Sequence, residues 1–447
     1  MTTADYLEQL QQDKSDLVDN LTTKGITGLT GNETFTELVP EVLNIPSGGG
    51  GTTEAEYKDV NFYDYDGARV YSYTKTEFLQ LNAMPENPSH DGLTSQGWNW
   101  SLSDAQTFVT NNDKLDIAQH YVTNDGKTRI YIELQEGRTS PYCGFALNGT
   151  VTIDWGDNTT STVTGTGTGN SGIVNTQHNY AKSGKYVISI SNETKIYIRG
   201  KGSMTNLLWN NNTSDVLYNY IYLNAIKKVE LGNNVEISEN CFRQARCLET
   251  VTIPNNLTGS SGGWFSSDNS LKFILIKDTS STTRINMIDC VSLKNIVFSN
   301  FESNKQIEMS NCYSLQKIVM PKVDFSTSGT SAFANCTNLK YITISNNITT
   351  LQTNAFNFCY SISNIKIPNS ITAIPNGAFS NCTGAKYFDF STHTAVPTLG
   401  TSVFPTSYIN DFKIIVPDSL YDTWIATSGW SSVSSYIISK SDWDALQ

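Results

Sequence analysis

Charge is scarce in this chain. Asp, Glu, Lys and Arg make up 16% of its 447 residues, and 30 basic against 42 acidic side chains leave −12 at pH 7. A weak, net negative field argues against nucleic acid or any other polyanion held by diffuse electrostatics. Long apolar runs are missing as well: no stretch approaches the eighteen or so residues that a spanning helix needs. The eight cysteines contain no CxxC pair, so the sequence supplies no zinc-type ligand spacing and no cofactor is expected. Walker A, His-Glu-x-x-His and EF-hand patterns do not occur in it. Gly167-Thr-Gly169-Asn-Ser-Gly172 spells the dinucleotide fingerprint, but no helix pattern follows it, and a hairpin loop explains it better.

What is present is repetition. Ile226, Leu248, Leu271, Leu293, Leu315, Leu339, Ile362 and Ala385 lie 22, 23, 22, 22, 24, 23 and 23 residues apart. Three and five residues after each comes an apolar pair, such as Ile274/Ile276, Ile318/Met320 and Ile365/Ile367. Residues two apart on a strand share a side, so each pair faces an interior. One such unit cannot bury enough apolar surface to offset the entropy of ordering its backbone, whereas stacked units bury a continuous core. The spacing predicts a leucine-rich solenoid. Three residues before most anchors stands a cysteine: Cys290, Cys312, Cys336, Cys359 and Cys382. These predict a ladder of small buried thiols; in the second copy Ala245 takes that position and Cys247 is out of register.

Segments such as Ala355-Phe356-Asn-Phe-Cys359-Tyr-Ser-Ile362-Ser-Asn-Ile365-Lys-Ile367 resemble the BspA-type leucine-rich repeats of bacterial surface and phage-tail proteins. That resemblance implies a surface for binding protein, matrix or glycan, and no enzyme. Upstream, Pro85 to Trp100 resembles the B-repeat modules of internalin-like proteins, and Val151 to Asp157 with His178 to Ile190 resembles the polycystic-kidney-disease-type, immunoglobulin-like sandwich. The expected fold is mainly β and multidomain: a short helical N-terminus, a β-grasp-like and an Ig-like module, and the C-terminal solenoid.

Along the chain, residues 1–46 read as a helical anchor. Leu7, Leu10, Leu17 and Leu21 form a stripe that fits a surface helix as well as a homotrimer seam. Residues 47–56, with Gly48 to Gly51, read as a flexible linker. Residues 57–126 form the B-repeat-like module, opening on a hairpin around Asp66-Gly67, and residues 127–200 the Ig-like one. Residues 201–417 are the solenoid, and 418–447 a cap built on Tyr421, Trp424, Trp430 and Trp443, for which carbohydrate stacking is the alternative use. His90 reads as a loop residue rather than a catalytic one. His178, with Asp154 and Asp157, reads as a turn tie rather than a metal or acid–base cluster.

The strand residues between each inward pair point to the concave side. There Phe273, Leu275, Val297 and Val319 form an apolar stripe, with Tyr341, Thr343, Asn364 and Tyr387 beyond it. An exposed apolar stripe marks a contact surface; these eight residues are the candidate ligand-binding set. Cover by a neighbouring domain or subunit is the competing reading. The N-terminus shows no basic or apolar leader region. Together with the linker, this leads to the expectation of a virion tail or baseplate protein. In that reading the anchor meets other tail proteins, the two β modules form a stalk, and the solenoid meets a host-surface protein or glycan. A bacterial cell-surface adhesin is the alternative, and a polysaccharide-degrading tailspike a third.

Overall fold

The computed structural model describes residues 57–169, 172–198, 200–201, 204–205, 208–209, 224–237, 241–253, 265–276, 284–298, 306–320 and 331–446. The expected anchor and linker, and with them the trimer seam, lie outside the described residues. Lys58–Gln447 is one compact unit.

Strands β1 (Val60–Tyr63), β2 (Arg69–Tyr73), β3 (Leu93–Trp98) and β4 (Leu115–Thr123) form a four-stranded sheet in the order β2-β1-β4-β3, with β1 and β4 parallel. The β1–β2 turn is the expected Asp66-Gly67, where Gly67 takes φ 85°. Helix α1 (Lys75–Leu79) begins at a Thr74–Glu77 capping box, and α2 (Leu102–Asn111) at Ser101. Because successive strand residues alternate sides, Val60, Phe62, Leu115 and Ile117 pack with Phe78, Ala105 and Val109 of the helices. The opposite side carries Asn61, Tyr63, Asp116, Ala118 and His120, and these are buried too. A strand pair buried on both faces needs a second partner.

Strands β5 (Thr128–Leu134), β6 (Tyr142–Asp154), β7 (Thr160–Gly167), β8 (Ile173–Gln177), β9 (Gly184–Ile190) and β10 (Ile196–Ile198) are organised by the long β6. Its first half pairs with β8 and its second with β7. Trp155 is fully buried; its Nε1 donates to Ser161 Oγ at 2.9 Å, and Tyr180 donates its hydroxyl hydrogen to the Trp155 carbonyl at 2.9 Å. His178 stacks on Trp155 at 4.7 Å and meets Asp157 Oδ2 at 2.8 Å, tying two turns together.

The repeat strands follow in the expected register. Val229 pairs with Val251, Ile274 with Ile296, Ile318 with Ile342, and Ile365 with Phe388, all parallel. The turns are held by three side-chain ladders. Phe333, Phe356 and Phe379 stack face to face at 5.4 and 5.6 Å. Each thiol donates to a carbonyl of the preceding turn: Cys290 to Phe265, Cys336 to Met309, Cys359 to Phe333 and Cys382 to Phe356, at 2.9 to 3.2 Å. Burial pushes the Cys290, Cys359 and Cys382 thiols up, well clear of thiolate formation. One residue before each thiol the backbone is left-handed, as at Asp289, Asn311, Asn335 and Asn381, with φ of 62 to 64°. There Asn311 donates to Asp289 at 2.8 Å and Asn335 to Asn311 at 2.9 Å.

The two modules do not project as a stalk. β5 pairs antiparallel with the first repeat strand, Ile226–Glu230, and β10 pairs with Val235–Ile237, so the repeat sheet grows directly out of the preceding one. A single apolar core runs from Ile130 to Ile437. The open N-terminal end of the solenoid is thereby covered, as an exposed core edge requires. At the other end Lys413–Val416 and Ile437–Ser439 continue the sheet. Helix α3 (Tyr421–Ala426) buries Trp424, and Trp430 donates Nε1 to the Pro397 carbonyl at 2.6 Å. The expected aromatic cap is therefore built from Trp424 and Trp430. Trp443, on helix α4 (Lys440–Asp444), stays half-buried and packs on Tyr387 at 5.2 Å.

Candidate functional site

The second partner of the β1–β4 sheet is the strand face of the solenoid. Phe273, Leu275, Val297 and Val319 point away from the solenoid core, as their strand positions dictate, yet each is at most 9% exposed. Tyr63 meets Phe273 with ring centroids 6.2 Å apart. Gly67 sits so close that a Cβ there would lie 2.8 Å from the Phe273 Cβ, so this turn needs glycine both for its positive φ and for the approach. Asn99 Oδ1 accepts the Ala118 amide at 2.9 Å, and His120 Nδ1 lies 3.4 Å from the Ile253 carbonyl.

At the centre of this contact Lys317 Nζ meets Asp116 Oδ1 at 2.5 Å, with both side chains at most 2% exposed. Burial lowers the Lys317 pKa and the Asp116 charge opposes that shift. The apolar stripe therefore does not present itself to a ligand. It is covered from within the chain, because the even-numbered residues of β4 and the outward residues of three repeat strands bury each other. Sequence spacing made the stripe visible and left its cover open between a domain and a subunit.

The cover ends at Tyr341. Beyond it the strand face turns polar, and the end of α2 with the residues after it, Asn111 to Lys114, rises as an opposing wall. Between them lies a cleft of about 730 Å³. Tyr341, Thr343, Asn364 and Tyr387, the remaining four candidates, all line it. Lys366 bridges to Asp113 Oδ2 at 2.9 Å across the cleft, both about half exposed. Asn346 ties the walls together through its amide to Asn112 Oδ1 at 3.2 Å and its side chain to the Asn111 carbonyl. Asn364 Nδ2 donates to the Tyr387 hydroxyl at 3.1 Å. The ammonium groups of Lys114 and Lys340 lie 5.5 and 5.1 Å from the Tyr341 ring centroid. Asp389 Oδ1 accepts the Ser391 amide at 2.8 Å.

Lys366 and Asp389 were readable as outward strand residues. Asn111 to Lys114 carried no such signal, since nothing in their own spacing shows that they reach a strand more than two hundred residues away.

Residues 215–328 and 306–422 match the BspA type leucine rich repeat region family, in six copies. The C-terminal region is thus a BspA-like leucine-rich repeat array, and the chain as a whole is mainly β. No curated protein matches the chain. Among solved structures, similarity extends to a leucine-rich repeat protein from Bacteroides ovatus at 22% identity and TM-score 0.32, covering 43% of this chain and 56% of that one. It extends to the T. pallidum Leucine Rich Repeat protein at 17% identity and TM-score 0.30, covering 44% and 86%. A leucine rich cell surface protein from Faecalibacterium prausnitzii shares 21% identity with TM-score 0.21, covering 43% and 70%. The chain spans little more than half the length of the Bacteroides ovatus protein.

Proposed function

We propose that this protein is a non-enzymatic attachment protein of the bacterial cell surface that holds its partner in the cleft between Asn111–Lys114 and the Tyr341, Asn364 and Tyr387 strands. The observation that carries the reading is the division of the strand face: its apolar part is consumed by an internal domain contact, and its polar part is left open and walled on two sides. The BspA-type repeat match supports it. The two carboxylates of the cleft are engaged, Asp113 by Lys366 and Asp389 by the Ser391 amide, which suits holding rather than proton transfer.

A virion-tail protein recognising a host surface is the second reading, favoured by the composition of the run Gly48 to Gly51, which is that of a linker between modules. Quantitative proteomics on washed cells and on density-purified particles from the same culture decides between the two. Peptides from residues 57–447 in the wall fraction of uninfected cells support the surface protein. Constant stoichiometry with tailed particles supports the virion reading instead. Failure of the purified protein to attach to any cell or matrix surface would refute both.

A further inference from the structure

We infer that the cleft takes an uncharged oligosaccharide, with Tyr387, which lines it, as the stacking ring and Trp443 packed against that ring. This rests on the cleft being the attachment site. The Tyr387 and Trp443 rings lie 5.2 Å apart at an interplanar angle of 54°, and both side chains are half-buried rather than sealed. Tyr387 lines the cleft and Trp443 packs against it from outside the lining residues, which sets an aromatic ring at the edge of a cleft of mixed polar and apolar lining. Sugar rings offer an apolar C–H face and a rim of hydroxyls, so they match an aromatic ring beside short amide and hydroxyl groups.

The polar groups within reach keep hydrogen-bonding capacity after their internal contacts. The Tyr387 hydroxyl accepts from Asn364 and retains its own hydrogen to donate. Asn364 has a second N–H, and Lys366 gives one hydrogen to Asp113 and keeps two. Paired Lys366 and Asp113 present a donor and an acceptor side by side, the pattern that adjacent hydroxyls satisfy. Tyr341 and Tyr387 stand on strands two turns apart, roughly 10 Å by the spacing of adjacent strands, so the cleft accommodates several linked sugars rather than one.

Two alternatives fit less well. A peptide partner draws its affinity from apolar anchors in desolvated pockets, and the apolar part of this face is already covered by the β1–β4 sheet. An acidic polymer would approach a chain of net charge −12 against its field.

The test uses the full chain and four hexasaccharide probes of equal length, titrated calorimetrically: maltohexaose, cellohexaose, chitohexaose and the acidic hyaluronan hexamer. The expected result is saturable binding of at least one uncharged probe. Tyr387→Ala should weaken it at least tenfold, Trp443→Ala by less through loss of the contact that holds the Tyr387 ring, and Tyr387→Phe least, with far-UV circular dichroism unchanged in all three variants. Absence of binding to every uncharged probe, tighter binding of the hyaluronan hexamer, or binding that survives both alanine variants would overturn the assignment. Treatment of target cells separates this outcome from failure of the attachment reading. Attachment abolished by periodate supports the glycan. Attachment that persists after periodate and is lost after protease overturns the glycan and leaves surface attachment standing.

Discussion

Phe358 occupies the position that Asn311, Asn335 and Asn381 fill in other turns, one residue before the thiol, with φ 61°. A bulky residue in that region is strained by about 1–3 kcal/mol, whereas Asn tolerates it. Its ring gains little in return, being 37% exposed against Tyr360, and the neighbouring Asn357 has taken over the ladder contact from Asn381 at 2.8 Å. Phe358→Asn is therefore expected to stabilise the fold by about 1 kcal/mol in chemical denaturation; a destabilised variant would show that the exposed ring contributes more than the strain costs.

Asp268 breaks the ladder differently. It stands where the other turns carry a small thiol, is 0% exposed, and neither carboxyl oxygen has a hydrogen-bond partner of good geometry among the described residues. Burial raises its pKa well above the ordinary Asp value, Cys290 adds to the rise, and the Ala245 and Gln244 amides nearby offset only part of it. Those amides already serve the Phe242 and Ser266 carbonyls. In the window between the ordinary and the raised pKa the unfolded chain has released a proton that the folded chain retains, so stability falls as pH rises through it. Asp268→Asn should be more stable than wild type at pH 7, by on the order of 1–3 kcal/mol. That advantage should shrink toward pH 3.5, where the wild-type carboxyl is neutral in the folded state and mostly protonated in the unfolded one. Urea melts at the two pH values read this directly, and an advantage independent of pH would assign the cost to shape instead of charge.

Among the elements, β4 has the most demanding role, since it packs helices on one side and the solenoid on the other. Its Asp116 is the counter-charge to Lys317, and Asp116 Oδ2 has no partner among the described residues. A buried ion pair contributes little net stability, but removing one member strands the other. Lys317→Met alone is expected to cost about 3–5 kcal/mol. The double variant Lys317→Met with Asp116→Leu should recover most of that loss, because Leu275, Val297 and Val319 offer apolar neighbours and Asn61 gives up only a long 3.4 Å bond to Asp116 Oδ1. Equal losses in the single and double variants would show that the pair provides stability rather than the register of the two surfaces.

For the whole molecule, the β1–β4 module acts as an internal cover. Excising residues 58–124 should uncover Phe273, Leu275, Val297 and Val319 together, a contiguous apolar patch of the kind that drives association. Increased binding of a hydrophobic dye and concentration-dependent self-association in sedimentation are the expected readouts. A truncated chain that stays monomeric and binds no dye would mean that the stripe closes on itself.

Amino-acid order alone determined the repeat: its 22- to 24-residue spacing, the inward pairs, the thiol ladder and the aromatic cap are periodic or local. Such signals survive in the sequence because each turn contacts only its neighbours. The division of the strand face into a covered and an open half belonged to the tertiary structure. Lys317 meets Asp116 across 201 positions and Lys366 meets Asp113 across 253. Nothing periodic links those residues; they meet because one buried strand, β4, had a second face to satisfy and the apolar stripe of the solenoid was the surface that matched it.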